Sequence, residues 1–231
     1  MNIKIASVDC VIIYFEEIIS KEISQKVKSA YKILKDLNNS AFIEIIPSYN
    51  SIFIKYDIFK YDFNSIKLFL KSSLADIKEF ENSDSSIINI DVYYDKEVGL
   101  DLEIVAKNAN LSIDEVIKIH SSTIYDVYAI GFLPGFAYLA SIDERIITPR
   151  LKTPRKKIPK GSVAIADNQT AVYPKDSPGG WNILGKTTFE FFDKNLDTLS
   201  PILIDSKIKF NPISKEEFIS QGGVIWVVLK L

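Results

Sequence analysis

Proline and glycine are distributed very unevenly along this chain. Eight of the nine prolines and eight of the nine glycines lie after position 130. Proline fixes φ and removes an amide donor, while glycine admits positive φ and close backbone approach. Between them stand short runs of Val, Ile and aromatic residues at 124–130, 162–166, 170–173, 181–187, 189–192, 202–204, 207–213 and 224–231. Short runs separated by specified turns predict a closed or nearly closed β-barrel. The densest stretch is 120–187, which reads as a complicated barrel corner or as the wall of a site.

The first part of the chain has a different grammar. Residues 3–15 are rich in Ile and Val and read as a strand, with a break near 7–9 that would make a hairpin. Ile19, Ile23, Val27, Ala30, Tyr31, Leu34 and Leu37 then recur at helical spacing. Strands are expected at 42–46 and 52–56. A second helix, opened by Asp62 or Asn64, carries the stripe Ile66, Phe69, Leu70, Leu74, Ile77 and Phe80. A polar linker follows at 81–86, then a strand at 87–94. Strand, helix, two strands, helix, strand is the order of a ferredoxin-like α/β sandwich. The expected class is α+β, with an N-terminal α/β domain at 1–84 and a barrel domain at 85–231. Ser112 with Glu115 and Ser214 with Glu217 are capping boxes that open short helices.

Composition excludes several functions. A formal charge of −2 gives no field toward nucleic acid or membrane. The longest apolar runs fall well short of the ~18 residues of a spanning helix, and the N-terminus lacks a signal pattern. One cysteine fits a reducing, cytoplasmic setting, and one cysteine with one histidine excludes the usual zinc cages, so no metal ligand set is expected.

The candidate chemistry is concentrated in the Pro/Gly-rich stretch. His120 is the chain's only imidazole. It is expected at a helix C-terminus, where the dipole favours its cation and it can act as acid, base or anion ligand. A structural helix-end hydrogen bond is the plain alternative. Arg150 and Arg155 sit on tandem Thr-Pro-Arg turns, and guanidinium binds carboxylate or phosphate bidentately. Lys152, Lys156, Lys157 and Lys160 complete the cluster; the last three read as a solvated loop. Ser177-Pro178-Gly179-Gly180-Trp181 offers amides for an anion nest, or a sharp turn into a strand. There is no phosphate loop, no dinucleotide fingerprint and no nucleophile elbow. ATP, if used, would be held mostly by another chain.

Several motifs lead further. Ile119-His-Ser, Val127-Tyr-x-x-Gly-Phe-Leu-Pro-Gly-Phe-x-Tyr-Leu, Thr148-Pro-Arg, Thr153-Pro-Arg, Ile158-Pro-x-Gly-Ser-Val, Gln169-Thr, Tyr173-Pro and Ser177-Pro-Gly-Gly-Trp occur in order. With them the chain resembles the family called allophanate hydrolase subunit 1, or the 5-oxoprolinase B subunit, which includes Kip-type inhibitors of a sporulation histidine kinase. The resemblance implies a cyclophilin-like barrel after the α/β domain. It also implies two partners, a subunit-2 homologue (the C-type component of 5-oxoprolinase) and a LamB/YcsF-type protein (its A-type component). Together these would open 5-oxoproline to glutamate, coupled to ATP hydrolysis, the isolated chain being inactive. On this reading His120 polarises or transfers a proton, and Arg150 and Arg155 hold an anionic group. Tyr128, Phe132, Pro134, Gly135, Phe136, Tyr138, Gln169 and Tyr173 line the pocket. Ser177, Pro178 and Trp181 flank the Gly179 and Gly180 amides, which meet substrate oxygen. Two departures stand out: Tyr93-Tyr94-Asp95 replaces the family's frequent Cys-Tyr-Asp, and Val8-Asp9-Cys10 replaces a Gly-Asp-Ser-like turn. Other readings stay open: a non-catalytic inhibitor of a sensor histidine kinase, an amide hydrolase of urea-type substrates, and, from the barrel alone, a prolyl isomerase.

Overall fold

A computed structural model describes residues 1–77 and 87–225. The chain divides into two compact units, Met1–Asp84 and Ser85–Leu231.

The first unit runs β1 (Asn2–Ser7), β2 (Cys10–Tyr14), α1 (Lys21–Asp36), β3 (Phe42–Ser48), β4 (Ser51–Tyr56) and α2 (Phe63–Ser73). Its sheet has the order β1-β2-β4-β3, antiparallel throughout. Alternation decides which face is covered: Val11 and Ile13 on β2, and Ile52 and Ile54 on β4, are fully buried. They pack with Ile23, Val27, Ala30 and Leu34 of α1 and with Ile66 and Leu70 of α2. Ser20 caps α1 by accepting from the Ile23 amide. Asp62, not Asn64, caps α2, in a reciprocal box with Ser65.

The two-layer sandwich is as expected, but one strand differs. The run at 87–93 lies in the second unit. The fourth strand of the first sheet comes instead from the break at 7–9, which makes β1 and β2 a hairpin with Ser7 opposite Cys10. Alternation marks a run as a strand without saying which sheet it joins. Phe80 and the linker at 81–86 lie outside the described residues.

The second unit continues with β5 (Ile87–Tyr93), α3 (Leu102–Ala109), α4 (Ile113–Ser122), β6 (Ile124–Ile130) and β7 (Ala137–Ala140). After a 3-10 turn at Glu144–Ile146 come β8 (Arg155–Ile158), β9 (Ser162–Ala166), β10 (Gln169–Val172), β11 (Ser177–Gly179), β12 (Asn182–Lys186), β13 (Lys207–Ile213) and α5 (Lys215–Ser220). Seven strands close a barrel in the order β10-β7-β6-β13-β5-β12-β9, and β8 pairs with β11 outside it. The pairing of β5 with β13 is parallel and runs from Ile87 to Tyr93.

Ser112–Glu115 and Ser214–Glu217 form the capping boxes read from the sequence. Two expected strands are absent. Segments 189–192 and 202–204 are irregular, yet Phe191 and Ile202 are buried in the main cluster. Their apolar content serves packing, and a short apolar run does not distinguish the two. The strand expected at 224–231 falls mostly outside the described residues. Among the described residues, no helix is long and apolar enough to cross a membrane.

Candidate functional site

Strands β9 and β10 are covered on both faces: all of β9 and all of β10 but the half-buried Gln169 are buried. Val163, Ile165 and Val172 join the main cluster with Tyr125, Val127, Ile208 and Phe210. Ala164, Ala166 and Ala171 alternate with them and join a second cluster with Phe136, Ile158, Tyr173, Trp181 and Ile183. Three alanines make a flat floor on which large rings lie directly.

The rings are mutually packed. Phe136 meets Tyr138 at 4.8 Å, Tyr173 at 5.4 Å and Trp181 at 5.9 Å between centroids. Gly135 makes the turn into this layer at φ +81°, and a side chain there would strike the Phe191 carbonyl. Phe132 packs edge-on to Phe136 at 5.4 Å. It is nonetheless 63 % exposed, with φ +73°. A bulky residue in the left-handed region is strained by about 1–3 kcal/mol, and such strain gathers at functional sites.

Above the layer, the Arg150 guanidinium lies 5.6 Å from the Trp181 ring centre. Burial pushes the Tyr173 phenol up to about 12, against a backbone hydrogen bond from Trp181 and the positive charge of Arg150. Burial also raises Tyr138, again opposed by Arg150. Pro134 and Pro178 are exposed, and Gln169 is half-buried at the start of β10. The Ser177 hydroxyl is buried and finds no hydrogen-bond partner among the described residues.

Of the expected site residues, the structure brings together Arg150, Phe132, Phe136, Tyr138, Tyr173, Gly179 and Trp181. Four expectations require correction. Tyr128 is buried on β6, outside the aromatic cluster.

The glycine pair is not an anion nest. A nest needs alternating left- and right-handed residues, and neither Gly179 nor Gly180 has positive φ. Gly179 sits in β11 opposite Arg155, and a Cβ there would overlap the Tyr173 hydroxyl and the Ile158 side chain. Its role is close approach. Gly179→Ala is therefore expected to tilt Tyr173 off the alanine floor and to destabilise by about 1–3 kcal/mol, as overpacking does. A thermal melt with near-ultraviolet dichroism of the rings checks this.

Arg155 is not free for a ligand. Its two terminal nitrogens donate to the two oxygens of Asp101 at 2.9 and 2.7 Å. Asp101 is 1 % exposed and also accepts from the Ile183 amide at 2.7 Å. This fork ties the start of α3 to β8 and β12. Lys157 and Lys160 pair with Asp176 and Glu190.

His120 is fully buried and stacked on Phe210 at 4.9 Å. Its hydrogen bonds set the tautomer. The Thr170 hydroxyl donates to the Ala164 carbonyl at 3.1 Å, so its oxygen accepts the His120 Nε2 proton at 2.8 Å. Nδ1 is then bare and accepts from the Tyr94 hydroxyl at 2.7 Å. Desolvation pushes the His120 pKa down to about 3. The expected cation at a helix end is overturned, because a helix dipole supplies only about 0.3–2 kcal/mol and full burial outweighs it. His120 braces α4 against the barrel through Thr170 of β10 and Phe210 of β13.

Three residues that matter were missed. Asp101 gave no motif signal, because burial of a polar side chain is invisible in a single sequence, and Tyr94 stood in the Tyr93-Tyr94-Asp95 motif with no role assigned to it. Asp167 lies 3.6 Å from Arg150. Its place in the Asp167-Asn168 turn between two strands was the available cue.

A family model described as carboxyltransferase domain, subdomain C and D, matches residues 1–202. The chain belongs to that family. It is 36 % identical to the 5-oxoprolinase B subunit of Bacillus subtilis (strain 168), covering 89 % of this chain and 90 % of that one. It is 38 % identical to the protein of the same name from Haemophilus influenzae, covering 73 % of this chain and 78 % of that one. Among solved structures, the conserved uncharacterized protein PH0987 from Pyrococcus horikoshii is 41 % identical, with a TM-score of 0.57 over 94 % of this chain and all of that one. TTHA0988 superposes with a TM-score of 0.77 at 28 % identity; the match covers 89 % of this chain and 40 % of that longer one.

Proposed function

We propose that this chain is the B component of a cytoplasmic, ATP-dependent 5-oxoprolinase complex that opens 5-oxoproline to glutamate. The observation that carries the reading is the match to the Bacillus subtilis 5-oxoprolinase B subunit over nearly the whole length of both chains. The partners would be a subunit-2 homologue, the C-type component, with a LamB/YcsF-type protein, the A-type component.

ATP supplies activation of an otherwise unreactive lactam carbonyl. The basic cluster does not fit a triphosphate cradle, since Arg155, Lys157 and Lys160 are each paired with an internal carboxylate. This supports a reading in which ATP is bound mostly by a partner subunit or shared with it. What this chain offers is a buried aromatic layer with Phe132 exposed at its edge and an accessible guanidinium lying over Trp181. The packed layer fixes the place of the guanidinium, which neutralises a carboxylate, and the exposed Phe132 ring is left to meet a planar amide.

Reconstitution tests the reading: glutamate should form from 5-oxoproline only when this chain joins both partners. An active pair of partners without it would remove the proposal. Phe132 provides a finer check. Phe132→Gly relieves left-handed strain and loses one ring contact, so stability should change by less than about 1 kcal/mol. Turnover of the complex should nevertheless drop severalfold if this strained, exposed ring meets substrate or partner. Unchanged turnover would leave the strain without a function.

A further inference from the structure

Arg150 differs from its sequence twin in how its donors are used. Arg155 commits its fork to Asp101 at 2.9 and 2.7 Å. Arg150 comes nearest to Asp167 through Nε, at 3.6 Å, beyond the ~3.2 Å limit of a good N–H···O bond. Both side chains of the Arg150–Asp167 pair are more than half exposed.

An exposed arginine is ordinarily a mobile, solvated group, but the Arg150 backbone is fastened on both sides. The Pro149 carbonyl accepts from the Asn182 side chain at 2.9 Å, and the Leu151 amide donates to the Gly180 carbonyl at 2.7 Å. The guanidinium then lies on Trp181. Asp167 is held as firmly, at φ +51° with its amide donating to the Thr148 carbonyl at 2.8 Å. Two rigid segments thus present a cation and a carboxylate that stop short of bonding.

We propose that Arg150 is a carboxylate receptor over the Trp181 ring, and that Asp167 is its displaceable internal counter-ion. The ligand class is a small carboxylate next to a planar amide; the lactam acid of the reading above has this form, and the inference rests on that reading for its substrate. A ligand carboxylate can take the two-bond fork that Asp167 does not occupy. Asp167 competes weakly for the guanidinium when no ligand is present, and its displacement is the cost a ligand carboxylate must exceed.

The test is calorimetric titration of the chain, alone and in its complex, with 5-oxoproline, with 2-pyrrolidinone and with N-acetylglycine. The second is the same ring without its carboxylate, and the third places a carboxylate beside an open amide. The expected result is binding of 5-oxoproline about tenfold or more tighter than 2-pyrrolidinone. Arg150→Gln should abolish that difference. Asp167→Asn should tighten carboxylate binding severalfold, since asparagine tolerates the left-handed backbone while the competing charge is gone. Equal binding of the two lactams, or weaker binding by Asp167→Asn, overturns the proposal. Arg150-dependent binding of N-acetylglycine with 5-oxoproline ignored keeps the receptor and removes the lactam reading. No Arg150-dependent binding of any of the three, in either form of the protein, removes the receptor itself.

Discussion

Replacing His120 by alanine is expected to cost about 3–5 kcal/mol of folding stability, the range for emptying a large buried ring site. The imidazole is fully buried against Phe210, Tyr125 and Tyr94. Its loss also orphans the Tyr94 hydroxyl, which is buried with it. The same burial sets a pH dependence. The folded-state pKa, about 3, lies below the ordinary histidine value of 6.5. The stabilisation is therefore complete above pH 6.5 and drains as pH falls toward 3, by up to about 1.4 kcal/mol per pH unit. His120 is the only histidine in the chain, so loss between pH 6.5 and 5 belongs to it. Carboxylates held low, such as Asp143 at about 2, act further down. Urea unfolding midpoints between pH 7 and 4 check this. A flat profile would mean that the imidazole is hydrated or paired with a charge.

The second large effect separates two arginines that look alike in sequence. Arg155→Ala strands the Asp101 carboxylate, 1 % exposed, without its counter-ion. Breaking a buried pair from one side costs about 3–5 kcal/mol. Arg150→Ala removes an exposed side chain whose ion pair is loose, and should change stability by no more than about 0.5 kcal/mol. In the complex the order reverses: Arg150→Ala should fold normally and lose turnover. Equal melting temperatures for the two variants would contradict the assignment of Arg155 to the frame and Arg150 to the site.

These contrasts show what could be read from residues alone. The helices were legible because their stripes and caps are local: Ser112 with Glu115 needs only the next turn of backbone. The barrel was legible because Pro and Gly punctuate it. Phe136, Tyr138, Tyr173 and Trp181 stood out because they lie in motif-rich segments, but as walls of a pocket; the structure packs them against one another, with Phe136, Tyr173 and Trp181 buried. What failed was partnership across distance. The Asp101–Arg155 and His120–Thr170 contacts join residues 54 and 50 positions apart, and no local pattern announces them. The Thr-Pro-Arg twins illustrate this: identical triplets, with fates set by whether a buried carboxylate stands opposite. The glycine pair misled for a related reason, since Gly179 is required by the Tyr173 ring pressed against it and not by its own φ.

The most direct measurement holds the C-type and LamB/YcsF-type partners at fixed concentration and titrates this chain into them. ATP hydrolysis and glutamate release are followed together, with and without 5-oxoproline. The account predicts that both rise together, depend on 5-oxoproline and saturate at a fixed ratio of chains, and that Arg150→Ala joins the complex without restoring either. Partners that reach full 5-oxoproline-dependent turnover with this chain absent, or that ignore 5-oxoproline with it present, would contradict the account.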